Sequence, residues 1–160
     1  MIFKVAEEAD IEGIQQLIHL VKETVFIHTN LGSDEEMASL ICEKGRGWIC
    51  LVRGQLSGFA LLDLNEKCIC ALFVHPEYAK NEMEIKLYRL MVSWYFERTK
   101  DKLTLHISPN STTEKFYELQ GWTYAESCNA GEVRMELNYN DWQQRTFFNR
   151  PKYSFSDKTS

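Results

Sequence analysis

The sequence predicts an α+β domain: a mixed, mostly antiparallel central sheet flanked by about four helices. Three observations predict it. Residues 68–74 (CICALFV) are an unbroken apolar run, as in a strand buried on both faces, and they feed a long helical pattern through the short loop 75–81. Two strand-like runs joined by tight turns, 48–52 and 56–64, lead into that run. Two more, 122–125 and 132–139, follow a further strand and the stretch 110–121.

Residues 2–6 alternate as a short first strand. Asp10 is of the type that caps helix starts, and after it Ile11, Ile14, Leu17, Ile18, Val21 and Val25 recur at helical spacing. Residues 26–32 break the pattern. Ser33 and Glu36 then form a capping box for a second helix, with Met37, Leu40 and Ile41 as its apolar side and Gly45 at its end. Arg53-Gly54-Gln55 turns the first hairpin, and Asn65-Glu66-Lys67 turns the chain into the apolar run. In the helix beyond it Met83, Leu87, Leu90, Met91, Trp94 and Arg98 fall on one stripe; Glu82, Lys86, Arg89, Ser93 and Glu97 form the wet one. Ile85, Tyr88, Val92 and Phe96 add apolar surface. In 103–107, Leu103, Leu105 and Ile107 share one face and Thr104 and His106 the other. No pattern continues past Asn140, so residues 1–139 are read as the domain and 140–160 as a C-terminal tail.

The chain has 160 residues, 44% of them hydrophobic and 26% charged, which is ordinary usage for one domain with a sizeable core. A net charge of −5 speaks against general affinity for nucleic acid or an anionic membrane. No apolar run approaches the ~20 residues of a membrane-spanning helix. Cys42, Cys50, Cys68, Cys70 and Cys128 make no disulfide framework, and no signal-sequence pattern follows Met1, so a reducing cytoplasm is the expected compartment. Cys68 and Cys70 share one face of the buried run and read as small core residues. No metal site is expected.

Two motifs carry a family resemblance. Leu72-Phe73-Val74-His75-Pro76-Glu77-Tyr78 resembles the strand-to-loop segment of the GCN5-related N-acetyltransferase (GNAT) superfamily, and the opening strand and helix around Phe3 to Leu17 is similar to the start of many such domains. The second motif runs from Asn110 through Phe116-Tyr117 to Gly121-Trp122. It resembles the pattern Asn-x-x-Ala-x-x-Phe-Tyr-x-x-x-Gly-Phe over thirteen positions, with Thr113 for Ala and Trp122 for Phe. Between the motifs the family has Gln/Arg-x-x-Gly-x-Gly/Ala, whose backbone amides hold the pyrophosphate of acetyl-coenzyme A. This chain has Ala79, Glu82 and Glu84 at the fixed positions, and no glycine lies between Gly58 and Gly121.

The resemblance implies a GNAT-like fold over roughly residues 3–137 and an acetyl-CoA-dependent N-acetyltransferase acting on a small-molecule or protein amine. It implies Tyr117 as the general acid toward the thiolate. Asn110 and the backbone of Phe73 and Val74 would hold the pantetheine arm, and Ala79, Lys80, Asn81, Glu82, Met83 and Glu84 the pyrophosphate. His28, Thr29 and Asn30 either line an acceptor pocket or form a plain surface loop. The base stays open among Asp63, Glu66, His75 and His106. Glu82 and Glu84 put negative charge beside a site for an anion, so a second reading stands beside the enzyme: a degenerate GNAT domain without turnover, acting as a binding or regulatory module. A homodimer stays open.

Overall fold

A computed structural model describes residues 1–21, 33–78, 82–107, 111–127 and 131–148. The strands are β1 (Ile2–Val5), β2 (Gly45–Val52), β3 (Gln55–Asp63), β4 (Cys68–Val74), β5 (Leu103–Ile107), β6 (Thr123–Ser127) and β7 (Val133–Leu137). The helices are α1 (Ile11–Val21), α2 (Asp34–Ser39), α3 (Met83–Arg98), α4 (Thr112–Leu119) and α5 (Tyr139–Phe148). The strands form one sheet in the order β1-β2-β3-β4-β5-β7-β6. Every described pairing is antiparallel except β4 with β5. This is the α+β architecture read from the sequence, with five α-helices among the described residues where about four were expected.

The sheet separates two apolar layers. On one face α3 and α4 cover Trp48, Cys50, Leu62, Ile69, Leu72, Leu105 and Met135. On the other, α1 and α2 cover Ile49, Phe59, Leu61, Cys68, Cys70 and Ala71. β4 does not alternate simply between them. Leu62 pairs with Ile69 and Leu61 with Ala71, so Cys70 is an extra residue, a β-bulge. Cys70 and Ala71 therefore both face the α1 layer. Past the bulge Leu72 and Val74 lie under α3, and Phe73 lies on the α1 side, where its ring meets Phe59 edge-on at 5.3 Å. The Cys70 thiol hydrogen-bonds to Cys68 and draws the Cys68 thiol below its ordinary value against the effect of burial.

The Ser33 capping box forms as read: the Ser33 hydroxyl accepts from the Glu36 N–H at 3.0 Å. Asp10 does not start α1 on its own. A 3-10 turn, Glu8–Asp10, precedes the helix, and the Asp10 carboxylate accepts the Glu7 N–H at 2.8 Å. The stripe assigned to Val25 runs outside the described residues. On α3 the phase differs at Leu90, 41% exposed, and at Arg98, also exposed, whereas Tyr95, outside the apolar stripe, is fully buried. Tyr95 tolerates burial because its hydroxyl donates to the Lys102 carbonyl at 3.3 Å. Residues 139–148, where the sequence shows no pattern, form α5. It packs on α3 through Trp142, stacked on Phe96 at 5.1 Å. No described helix is long and apolar enough to cross a membrane.

Candidate active site

The central feature is the parting of β4 and β5. Cys68 is in register with Thr104, and no other pair from these strands is in register among the described residues. The strands diverge toward Val74 and Ile107, leaving the outer part of β4 with an unpaired edge on that side. Such an edge offers backbone N–H and C=O groups to an extended, amide-bearing ligand. Phe73 and Val74, the residues assigned to the pantetheine arm, stand half-buried there, in register with Phe59 and Gly58 on β3.

The start of α3 is pressed onto this part of the sheet. Met83 is fully buried, and Gly58 is what admits it. A methyl group at Gly58 would lie 2.7 Å from Met83 Sδ, 3.0 Å from Leu87 Cδ1 and 3.2 Å from Val74 Cγ1. The free N–H groups of the first turn are thereby held beside the open end of β4, a geometry suited to an anion. Glu82 precedes the helix and is exposed. Glu84, in the first turn, is half-buried, and burial raises its carboxyl above the ordinary value. The two glutamates therefore differ: Glu82 points its charge to water, while Glu84 carries its own into the protein. Ala79, Lys80, Asn81 and Asn110 lie outside the described residues, as do His28, Thr29 and Asn30.

Tyr117 sits on α4 in a box of rings. Tyr88 lies at 5.9 Å, Phe116 at 5.2 Å and Trp122 at 5.3 Å, all edge to face. The spacing of the second motif follows from this box. The Ser111 hydroxyl caps α4 by accepting from Glu114 N–H at 3.1 Å. At the other end Gly121, at φ +99°, turns the chain so that Trp122 N–H reaches back to the Tyr117 carbonyl at 3.0 Å. Trp122 then packs beneath Tyr117, and its indole N–H donates to the buried Tyr88 hydroxyl at 2.8 Å. Arg145 of α5 closes the end of α4 by donating to the Leu119 carbonyl at 2.6 Å. Burial pushes the Tyr117 phenol well above its ordinary value, and Tyr88 and Glu84 push it the same way. Tyr117 is thus a phenol at neutral pH, a proton donor and not a base.

The four base candidates are scattered. Asp63 is buried and accepts the Glu66 N–H at 2.9 Å, so it shapes the β3–β4 turn. It pairs with Cys68 at the closed end of β4, six residues or about 20 Å from Val74. Glu66 is exposed in that same turn. His106 is half-buried on β5 opposite Arg134. His75 alone adjoins the open end of β4. Its N–H donates to the Ser57 carbonyl at 2.7 Å, and its Nδ1 accepts from Glu77 N–H at 3.1 Å, which leaves the ring proton on Nε2. It lines a groove of about 480 Å³ with Asp10, Gln16, Leu17 and Leu51. A second groove of about 650 Å³, between the first 3-10 turn, α1 and α2, is lined by Glu8, Glu12, Asp34, Glu35 and Glu43. Among the described residues no three His, Cys, Asp or Glu side chains gather to hold a metal ion. Sequence reasoning missed Tyr88 and Gly58, which read as a generic core aromatic and a strand glycine.

No family model and no curated protein matches the sequence. Solved structures do. The PaiA N-acetyltransferase of Thermoplasma acidophilum, solved with coenzyme A, superposes with a TM-score of 0.73 at 15% identity, covering 87% of this chain and 100% of that one. A ribosomal-protein-alanine N-acetyltransferase from Brucella melitensis gives 0.69 at 14% identity, covering 86% and 99%. The spermidine N-acetyltransferase SpeG of Vibrio cholerae gives 0.68 at 15%, covering 91% and 99%. The fold of this chain is therefore that of the GNAT N-acetyltransferases.

Proposed function

We propose that this chain is an acetyl-CoA-dependent N-acetyltransferase acting on a small-molecule or protein amine, with Tyr117 as the acid that protonates the departing thiolate. The observation that carries the reading is the junction of three features: the parted β4–β5 pair, the start of α3 seated on Gly58, and a buried phenol on α4 beside them. The open edge of β4 fits a chain of amides, and Phe73 and Val74 supply the backbone groups that would hold it. The first-turn amides of α3, at Met83 and Glu84, and the loop residues Ala79, Lys80, Asn81 and Glu82 are proposed to hold the pyrophosphate, and Asn110 the pantetheine. Acetyl-CoA supplies the acetyl group as a thioester. The residues present orient the acceptor, offer backbone N–H groups to developing negative charge on oxygen, and deliver a proton to sulfur. The acidic groove along α1 and α2 favours a cationic acceptor, and the cytoplasm suits Cys42, Cys50, Cys68 and Cys70, which are not in disulfides.

Coenzyme A affinity tests the reading, by calorimetry or thermal shift, followed by acetyl transfer to spermidine and to a peptide with an N-terminal alanine. Micromolar affinity with transfer to either amine is expected. Tyr117→Phe then lowers kcat on the order of a hundredfold while affinity for coenzyme A holds; unchanged turnover removes Tyr117 from the mechanism. One observation favours a second reading. The half-buried Glu84 carboxyl stands in the first turn of α3 where the family has a glycine, and a folded protein that ignores millimolar coenzyme A is a binding module instead.

A further inference from the structure

The side of α3 turned away from α4 meets the first strand of the sheet, and a groove of about 570 Å³ opens there. Its floor is aromatic: Trp48 meets Trp94 edge-on at 5.6 Å, with Phe3 and Leu90 beside them. Phe3 and Trp94 are only half-buried, and Leu90 and Val5 are 41% and 42% exposed. β1 is the outermost strand, so one of its edges has no strand beside it among the described residues. The ladder to β2 decides which groups point out. Ala6 N–H donates to the Gly47 carbonyl at 2.7 Å, so Ala6 bonds toward β2. By alternation Lys4 does the same, and Phe3 and Val5 turn their own N–H and C=O groups outward. The side chains of those two residues share the face that meets the α3 layer. Unpaired main-chain donors and acceptors therefore run along the rim of an apolar groove.

The rim is also cationic. Lys86 Nζ lies 5.8 Å from the centre of the Phe3 ring, and the Arg46 and Arg98 guanidinium groups lie 4.9 and 4.2 Å from that of Trp94. Arg89 lines the groove with them. Arg46, Lys86 and Arg89 have no ion pair among the described residues. Glu97, the carboxylate in the lining, is 3.9 Å from Arg98. These cations gather on a chain whose net charge is −5.

We propose that the groove between β1 and α3 is a docking site for an acidic segment of a partner protein, bound extended as a further strand on the edge of β1. The dimensions agree. Lys86 and Arg98 are twelve residues apart on α3, about 18 Å. Four alternate positions of an extended chain span about 20 Å. Carboxylates at the outer two positions meet the cations at the ends, and apolar side chains at the inner two cover Trp48 and Leu90. Other occupants fit less well. Residues 149–160 carry Arg150, Lys152 and Lys158 against Asp157, the same sign as the rim. A second copy would bring an identical cationic rim to this one. A nucleic acid or an anionic membrane would meet the cations and leave the outward N–H and C=O groups of β1 without a strand. The proposal does not depend on the acetyltransferase reading, since it concerns the side of α3 away from Tyr117.

A titration of the nitrogen-15-labelled protein, followed by NMR, tests it with the end-capped heptapeptide Glu-Thr-Leu-Thr-Leu-Thr-Glu. Amide signals of β1 and of the Lys86 to Arg98 stretch are expected to move and to saturate by millimolar peptide. Lys86→Glu combined with Arg89→Glu, both at exposed positions, is expected to weaken binding about tenfold or more. A peptide with Lys in place of Glu should recover it. Val5→Pro removes one outward N–H and leaves the ladder to β2 whole, so it should weaken binding severalfold. Circular dichroism checks that each variant is folded. No binding at millimolar peptide, shifts that map elsewhere, or an affinity indifferent to charge reversal overturns the proposal. An unchanged affinity in folded Val5→Pro overturns the added strand. Phosphatidylserine vesicles and a single-stranded oligoribonucleotide are titrated in parallel. If either binds, loses its binding on charge reversal, and the peptide is ignored, the groove belongs to that ligand and the proposal falls. A dimer in sedimentation that Leu90→Asp dissolves assigns the groove to a second copy and overturns it equally.

Discussion

Trp122→Phe is the most informative single change. The indole N–H donates to the Tyr88 hydroxyl at 2.8 Å, and both side chains are buried, at 3% and 5% exposure. Phenylalanine keeps the ring contact with Tyr117 but strands the Tyr88 hydroxyl, which costs about 1–3 kcal/mol. The smaller ring adds roughly 1 kcal/mol of lost packing, so a total of about 2–4 kcal/mol is expected. Tyr88→Phe alone strands the indole N–H for about 1–3 kcal/mol. In the double variant nothing is stranded, so its loss of stability should fall short of the sum by about 1–3 kcal/mol. Urea denaturation followed by far-ultraviolet circular dichroism gives all four corners of the cycle. A coupling under about 0.5 kcal/mol would mean that the two groups do not depend on each other, and the account of the aromatic box would fail.

Gly58→Ala should cost about 1–3 kcal/mol by overpacking against Met83, Leu87 and Val74, and should weaken coenzyme A binding by shifting the start of α3; thermal melts and calorimetry on one preparation check both, and an unchanged melt refutes the close seat. Glu84→Gln should raise the melting temperature at neutral pH and not at low pH. The native carboxyl binds its proton more tightly than the unfolded one, so the wild type loses stability as pH rises from the unfolded to the raised native value, and Gln has no such loss. Equal melting temperatures of the two proteins across that window would refute the burial of this carboxyl.

What was legible in the sequence was what periodicity and short-range chemistry write directly. The alternation of 103–107, the run in 68–74 and the Ser33 capping box all reappear in the structure, because each depends on neighbours a few residues away. The spacing from Tyr117 to Gly121-Trp122 was visible as a motif, but its cause was not. That cause is a left-handed glycine that folds an indole under a phenol, and the partner of that indole is Tyr88, 34 residues earlier. Residues 139–148 failed for a related reason. Tyr139 and Trp142 face Phe96 of α3, and the sequence does not say that this neighbour exists. The glutamates of the loop read alike on paper. Their difference, one exposed and one half-buried, exists only once α3 is seated in the fold.

The extra residue in β4 has a consequence for how the molecule tolerates change. It acts as a half-step spacer: upstream of it, even-numbered side chains belong to the α1 layer, and downstream of it, odd-numbered ones do. Phe73 fills the space beside Phe59, and Val74 the smaller space under Leu87, only because the count is offset by one. A strand of the same length in which Cys70 paired regularly would keep every residue and still exchange the two layers beyond that point, turning the Phe73 ring toward the start of α3 and leaving a hole behind α1. Shortened by Cys70 itself, the strand would alternate simply and Leu72, Phe73 and Val74 would keep their present partners Ala60, Phe59 and Gly58. An engineer who straightens this strand must therefore remove the spacer with the bulge, since the two have to go together.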